Sequence, residues 1–121
     1  GGDGKPNYDS ISIANCEQQL KKADLSTNIM VDCSHANSNR DHTLQPRVIE
    51  NIAKQIADGN QSIIGLMVES NLEAGNQKMK PNGKGLQYGV SVTDACIGWN
   101  KTKETLMAMA ERIRSALANR E

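Results

Sequence analysis

The chain has 121 residues, 14 Lys and Arg against 14 Asp and Glu, 37% apolar residues, and aromatics limited to Tyr8, Tyr88 and Trp99. The zero formal charge lacks the basic excess of a general nucleic-acid binder, and no run approaches the ~18 apolar residues of a membrane helix, so neither nucleic acid nor membrane is an expected partner. Cys16, Cys33 and Cys96 are odd in number, far apart and without a CxxC pair, which excludes a zinc ribbon or a disulfide framework and suits reduced thiols in a cytoplasmic protein.

The chain opens Gly1-Gly2-Asp3-Gly4 rather than with Met, which reads as the interior of a longer protein. A first helix is expected from about Asp9 to Ala23, capped by Asp9 or Ser10, with Ile13, Cys16, Leu20 and Ala23 on one face. The short run Ile29-Met30-Val31 follows and reads as a strand. A second helix is expected from Leu44 to Asp58: Pro46 suits its first turn, Val48, Ile49, Ile52, Ala53 and Ile56 form an apolar stripe, and Gly59 suits the C-terminal stop. Ser62 to Val68 is the clearest strand, apolar at nearly every position, as in a parallel sheet covered on both faces. The polar segment from Asn71 to Gln87, rich in Gly and Pro, predicts a long functional or mobile loop. Val90-Ser91-Val92-Thr93 is a weaker third strand. A last helix is expected from Thr102 to Asn119, with Leu106, Met109, Ala110, Ile113 and Leu117 on one face. The order α-β-α-β-loop-β-α is the signature of an α/β fold.

Active sites of parallel sheets collect beyond the carboxyl ends of the strands. Beyond the first run stands Asp32-Cys33-Ser34-His35, beyond the second Glu69-Ser70-Asn71, and beyond the third Asp94-Ala95-Cys96. An imidazole and two carboxylates at equivalent strand ends form a natural donor set for a divalent cation. Each residue also has a plainer reading: His35 as a hydrogen-bonded structural histidine, Glu69 as a paired carboxylate and Asp94 as a turn cap. His42, among Arg40, Asp41 and Thr43, reads as a solvated surface histidine. Gly83-Lys84-Gly85 lacks the third glycine and following helix of a dinucleotide fingerprint, and Gly4-Lys5-Pro6 lacks the Ser or Thr of a phosphate loop. The sequons at Asn60 and Asn100 read as chance matches.

These residues also carry a family resemblance. Asp32-Cys33-Ser34-His35-Ala36-Asn37-Ser38-Asn39, Ile64 to Asn71 followed by Glu73-Ala74-Gly75-Asn76-Gln77, and Tyr88 to Trp99 resemble the C-terminal third of the class I 3-deoxy-D-arabino-heptulosonate 7-phosphate (DAHP) synthases, as does the opening Gly1-Gly2 with Pro6-Asn7-Tyr8. The resemblance spans essentially the whole chain and implies a (β/α)8 TIM barrel. Residues 1–121 would form about half of that single catalytic domain, its C-terminal portion. It implies condensation of phosphoenolpyruvate with erythrose 4-phosphate to DAHP plus phosphate, the first step of the shikimate pathway of aromatic amino acid biosynthesis.

The family holds a divalent metal (Mn, Fe, Zn or similar) with a Cys, a His, a Glu and an Asp. His35, Glu69 and Asp94 match the last three by motif, and the resemblance gives His35 a further catalytic role through contact with phosphoenolpyruvate. The Cys ligand belongs to the family's first part, and Cys33 and Cys96 do not match it. Asn37 and Ser70 are candidates for orienting the ligands. The expected assembly is a homo-oligomer or association with the N-terminal half. The alternative is a non-catalytic half-barrel acting as a structural or assembly piece, favoured by the missing Cys ligand and the missing basic phosphate-binding residues; in either case half a barrel leaves an inward apolar face, expected at Ile63, Gly65, Met67, Val90 and Val92 or their neighbours, without cover.

Overall fold

The computed structural model describes residues 3–120; Gly1 and Gly2 of the matched opening lie outside the described residues. The elements are α1 (Ser10–Lys22), β1 (Ile29–Asp32), two short 3-10 turns (His35–Ser38 and His42–Leu44), α2 (Gln45–Ala57), β2 (Ile63–Met67) and α3 (Trp99–Ala118). Asp9 caps α1 by accepting from the Ile11 and Ser12 amides at 3.2 and 3.1 Å, and the Ser12 hydroxyl, followed by these amides, holds its carboxyl below the ordinary value. Pro46 lies in the first turn of α2, where its missing N–H costs nothing. Gly59 ends that helix at φ +111°, open to glycine and strained for other residues. α3 begins three residues earlier than the apolar periodicity predicts, at Trp99 after Gly98.

α2 is the centre of the core. Its stripe Val48, Ile49, Ile52, Ala53 and Ile56 is buried as expected, together with Ile13 of α1, Ile113 of α3, and Ile29, Val31 and Ile63 of the strands. Each such side chain taken fully out of water contributes about 1.5–3 kcal/mol. α3 contributes less than its sequence pattern suggests: Ile113 and Met109 pack inward, but Leu106 and Leu117 are largely exposed.

β1 and β2 pair in parallel as a two-stranded sheet. The register runs Ile29 to Ile63, then Met30 to Gly65, Val31 to Leu66 and Asp32 to Met67, so β2 carries one extra residue as a bulge. Ile29, Val31 and Cys33 join the core beneath the helices, and Ile63, Leu66 and Val68 pack with them. This corrects the expected parity, because Ile63 faces the helical layer rather than inward.

The second strand is also not covered on both faces. Met30 is 66% and Ile64 60% exposed, and the face away from the helices is open in this chain. The expected third strand at Val90–Thr93 does not form. Ser91 makes a single bridge to Asn76, and the Thr93 amide donates to Ser91 Oγ at 3.2 Å, a local bond that competes with a ladder. The next pass of chain beside β2 comes later, where Ile97 bridges Ser70 in parallel.

The segment between β2 and α3 is irregular but anchored. The amides of Gly75 and Cys96 exchange bonds with each other's carbonyls at 2.9 and 3.1 Å. Gln77 ties the loop from inside, donating to the Gln87 and Val90 carbonyls and accepting from the Gln87 amide. Gly89, at φ +81°, leaves no room for a side chain, since a Cβ there would stand 2.9 Å from Leu72 Cβ.

Candidate metal centre

β1 ends at Asp32, and the chain then turns sharply. His35 sits at φ +46°, in the left-handed region that a histidine adopts at a cost, and Asn39 and Arg40 follow at +52° and +59°. Asp32 fixes this turn. Its Oδ1 accepts from the Ser34 amide at 2.8 Å, and its Oδ2 stands 2.8 Å from His35 Nδ1. That contact makes Nδ1 the protonated nitrogen and turns Nε2 outward. Nε2 lies 3.3 Å from Glu69 Oε1 and 3.4 Å from Asp94 Oδ2. His35, Glu69 and Asp94 thus converge, each offering a ligand atom within 4.8 Å of the others.

The convergence survives the loss of the third strand. Asp94 arrives from the irregular segment, three residues ahead of the Ile97 bridge, and remains 63% exposed at its side chain.

Two observations test whether this set fits a divalent cation. Charge-assisted hydrogen bonds from an imidazolium run at about 2.7–2.9 Å, shorter than either Nε2 contact. Donors placed about 2.1 Å from a common ion stand roughly 3.0–3.4 Å apart, which is the spacing of Nε2 from each of the two carboxylates. Glu69 Oε2 supplies the second: it is buried without a hydrogen-bond partner, a costly state for a carboxylate oxygen that a cation relieves. One nitrogen and two carboxylates suit Mn, Fe or Zn. The hydrogen bond and charge of Asp32 raise the His35 pKa above its ordinary value; burial opposes them, and the Glu69 and Asp94 charges add smaller upward effects.

The orienting residues differ from those expected. Asn37 accepts from the Asn7 amide at 2.7 Å and donates to the Asp32 carbonyl at 2.8 Å, so it holds the backbone beneath the site and touches none of the three donors. Ser70 hydrogen-bonds Thr102 at the start of α3. Asp32 holds the imidazole instead, and its place three residues before His35 was the available signal. Gln45 was not foreseen at all: fully buried, it hydrogen-bonds the Glu69 backbone.

His42, expected in solvent, is half-buried and lines the same cleft of about 350 Å³ as His35, Glu69 and Asp94, with Arg40 and Asn76 beside it. Burial pushes the Cys33 thiol up to about 12 and keeps it inert. Cys96 is buried as well, with its thiol toward the Asp94 carbonyl at 3.6 Å. Neither joins the donor cluster found among the described residues.

The sequence model described as the DAHP synthetase I family matches residues 1–107. The chain belongs to the DAHP synthetase I family. It is 48% identical over 115 residues to the Tyr-sensitive phospho-2-dehydro-3-deoxyheptonate aldolase of Salmonella typhimurium, covering 95% of this chain and 32% of that protein. The tyrosine-inhibited aldolase of Schizosaccharomyces pombe is 44% identical over 124 residues, covering 100% of this chain and 33% of its own. A solved phospho-2-dehydro-3-deoxyheptonate aldolase from Francisella tularensis superimposes with a TM-score of 0.86 at 44% identity, over 94% of this chain and 33% of that one. The chain therefore spans about a third of the length of these family members, the share that the motif resemblance implied. No helix among the described residues is long and apolar enough to cross a membrane.

Proposed function

We propose that this chain is the C-terminal part of a metal-dependent DAHP synthase, condensing phosphoenolpyruvate with erythrose 4-phosphate and releasing phosphate as the entry step of the shikimate pathway. The observation that carries the reading is the convergence of His35, Glu69 and Asp94, with Nε2 at cation-ligand spacing from both carboxylates and Glu69 Oε2 buried without a partner. Membership of the DAHP synthetase I family supports the reaction class. In the complete protein, the three segments described here would belong to a (β/α)8 barrel forming one domain, with their carboxyl ends at the catalytic face.

A divalent ion bound by the three side chains supplies Lewis-acid polarisation at a substrate oxygen. The rest is work for this chain's own residues. Asp32 holds His35 with Nε2 toward the site, and that imidazole also contacts the phosphoenolpyruvate. Glu69 and Asp94 offset the cation's charge. Arg40 lines the same cleft beside His42 and sets a guanidinium near the anionic substrates. The family's cysteine ligand comes from outside the chain, and the open sheet face around Met30 and Ile64 is covered by the remaining two thirds of the protein or by another subunit.

The test is consumption of phosphoenolpyruvate by the complete protein, measured with and without erythrose 4-phosphate and after metal removal. Turnover that needs both the second substrate and the metal is the expected result. Metal-independent turnover overturns the reading. For the isolated 121 residues, weak metal binding and self-association are expected, and a stable monomer in dilute solution contradicts the need for cover.

A further inference from the structure

Glu69 lies beyond the end of β2 and is held by a side chain from α2, the helix that precedes that strand. The Gln45 side chain is 0% exposed. Its Oε1 accepts from the Glu69 amide at 2.9 Å, and its Nε2 donates to the Glu69 carbonyl at 2.9 Å. Both backbone polar groups of Glu69 are thus taken by one planar amide. The same carbonyl also accepts from the Ile97 amide at 3.0 Å. Ile97 lies three residues beyond Asp94, and Gln45 ten residues beyond His35. The Glu69 peptide is therefore the junction at which the three donor-bearing segments meet.

A glutamine is a poor choice for this pocket on packing grounds. A buried amide must have all its stronger hydrogen-bonding groups matched or it destabilises, and its neighbours in α2, Val48 and Ile49, are aliphatic. Its geometry is suited to one task, fixing a backbone group that offers a donor and an acceptor side by side. β2 has ended at Met67, so the β1 ladder no longer restrains Glu69.

Resting on the metal-site reading above, we propose that Gln45 is a positioning residue. It locks the Glu69 backbone and so sets where the Glu69 carboxylate presents itself to a divalent cation. Gln45 touches neither the cation nor the substrates. Outer partners that orient ligands typically change metal affinity 10- to 100-fold when removed, and this one acts through the main chain instead of the ligand's side chain.

The experiment uses the complete protein, stripped of metal and titrated with Co²⁺. Dissociation constant and visible ligand-field spectrum are the readouts, and the melting temperature of the metal-free protein serves as the folding control. Gln45→Met keeps the length and loses both hydrogen bonds. The expected result is a folded protein with Co²⁺ affinity lower by about 10- to 100-fold and an altered spectrum, since a displaced carboxylate changes the ion's geometry. Wild-type affinity and spectrum in folded Gln45→Met overturn the proposal.

If that variant does not fold, Gln45→Asn, which keeps an amide but withdraws it by one methylene, is read by the same two outcomes. Glu69→Ala is measured alongside. Loss of binding there with unchanged binding in the Gln45 variant defeats the positioning role alone. Wild-type binding in Glu69→Ala defeats the metal reading of Glu69 itself.

Discussion

The two ends of β2 carry polar clusters of different composition and opposite character. At the amino end, Glu17 Oε1 accepts from Asn60 Nδ2 at 3.0 Å and from Ser62 Oγ, while Asn60 Oδ1 accepts from the Ser62 and Ile63 amides, each at 3.0 Å. Arg120 closes the group by donating to the Asn60 and Ile63 carbonyls at 2.9 and 3.0 Å. At the carboxyl end, three side chains of the set His35, Asp32, Glu69 and Asp94 are carboxylates, one buried oxygen has no partner, and the backbone turns left-handed at a histidine. A carboxylate whose donors are supplied by its own fold stabilises that fold. One left short of donors destabilises the empty site and gains when something cationic arrives. The contrast separates structural polarity from functional polarity without reference to any relative.

Substitution at the carboxyl end should therefore cost function and spare the fold, and the largest such effect is expected at Glu69. Glu69→Ala in the complete protein should abolish metal-dependent turnover and tight metal binding while the metal-free melting temperature stays level or rises, because a buried unpaired oxygen is removed. Unchanged activity at saturating metal contradicts its role, and global unfolding would make Glu69 resemble Glu17. Asp32→Ala should come next, with metal affinity lower by about 10- to 100-fold through loss of imidazole orientation, read by calorimetric titration.

A pH series sharpens the same contrast. The Asp32 hydrogen bond raises the folded pKa of His35. In the metal-free protein its stabilising contribution is thus present below the unfolded value and is lost as pH rises through the raised folded value. Metal binding runs the other way, since a ligand nitrogen must first lose its proton. Apparent affinity should fall about tenfold per pH unit below the folded pKa, and Asp32→Asn should move that bend to lower pH. A flat affinity profile through this range is incompatible with His35 as a ligand.

The smallest expected effect lies at the amino end, where Asn60→Ala should lower unfolding free energy by about 1–3 kcal/mol in urea titrations and leave metal affinity untouched. A change in affinity there would erase the distinction between the two ends.

Much of this was legible in the sequence, for identifiable reasons. Asp9, Pro46, Gly59 and the α2 stripe act within one helical turn, so local pattern suffices to place α1 and α2. His35, Glu69 and Asp94 were legible because each closely follows a short apolar run. What was lost depended on contacts distant in the chain. Val90–Thr93 has strand-like composition, yet its neighbours in space, Asn76 and Gln77, bond it singly and leave Ile97 to extend the sheet. Gln45 has no sequence signature, because its partner is a backbone group 24 residues away. The open face of the sheet could be anticipated in kind, but the assignment of Ile63 to it failed on a single extra residue.

That extra residue has a consequence for heredity as much as for geometry. With strict alternation from Ile63, every second side chain up to Glu69 would lie on the helical side, and a carboxylate would be driven into oil. The additional residue near Ile64 and Gly65 acts as a reading-frame shift within the strand. Ahead of it odd numbers face the helices, and beyond it even ones do, so Leu66 and Val68 pack inward and Glu69 is delivered to the cleft. Deleting Ile64 would remove the bulge and leave Leu66 and Val68 packed inward and Glu69 at the cleft, whereas deleting a residue beyond it, such as Leu66, would exchange the two sets and drive the carboxylate toward the helices. Beyond the bulge, the loss of one codon should be more damaging than almost any exchange of one residue for another.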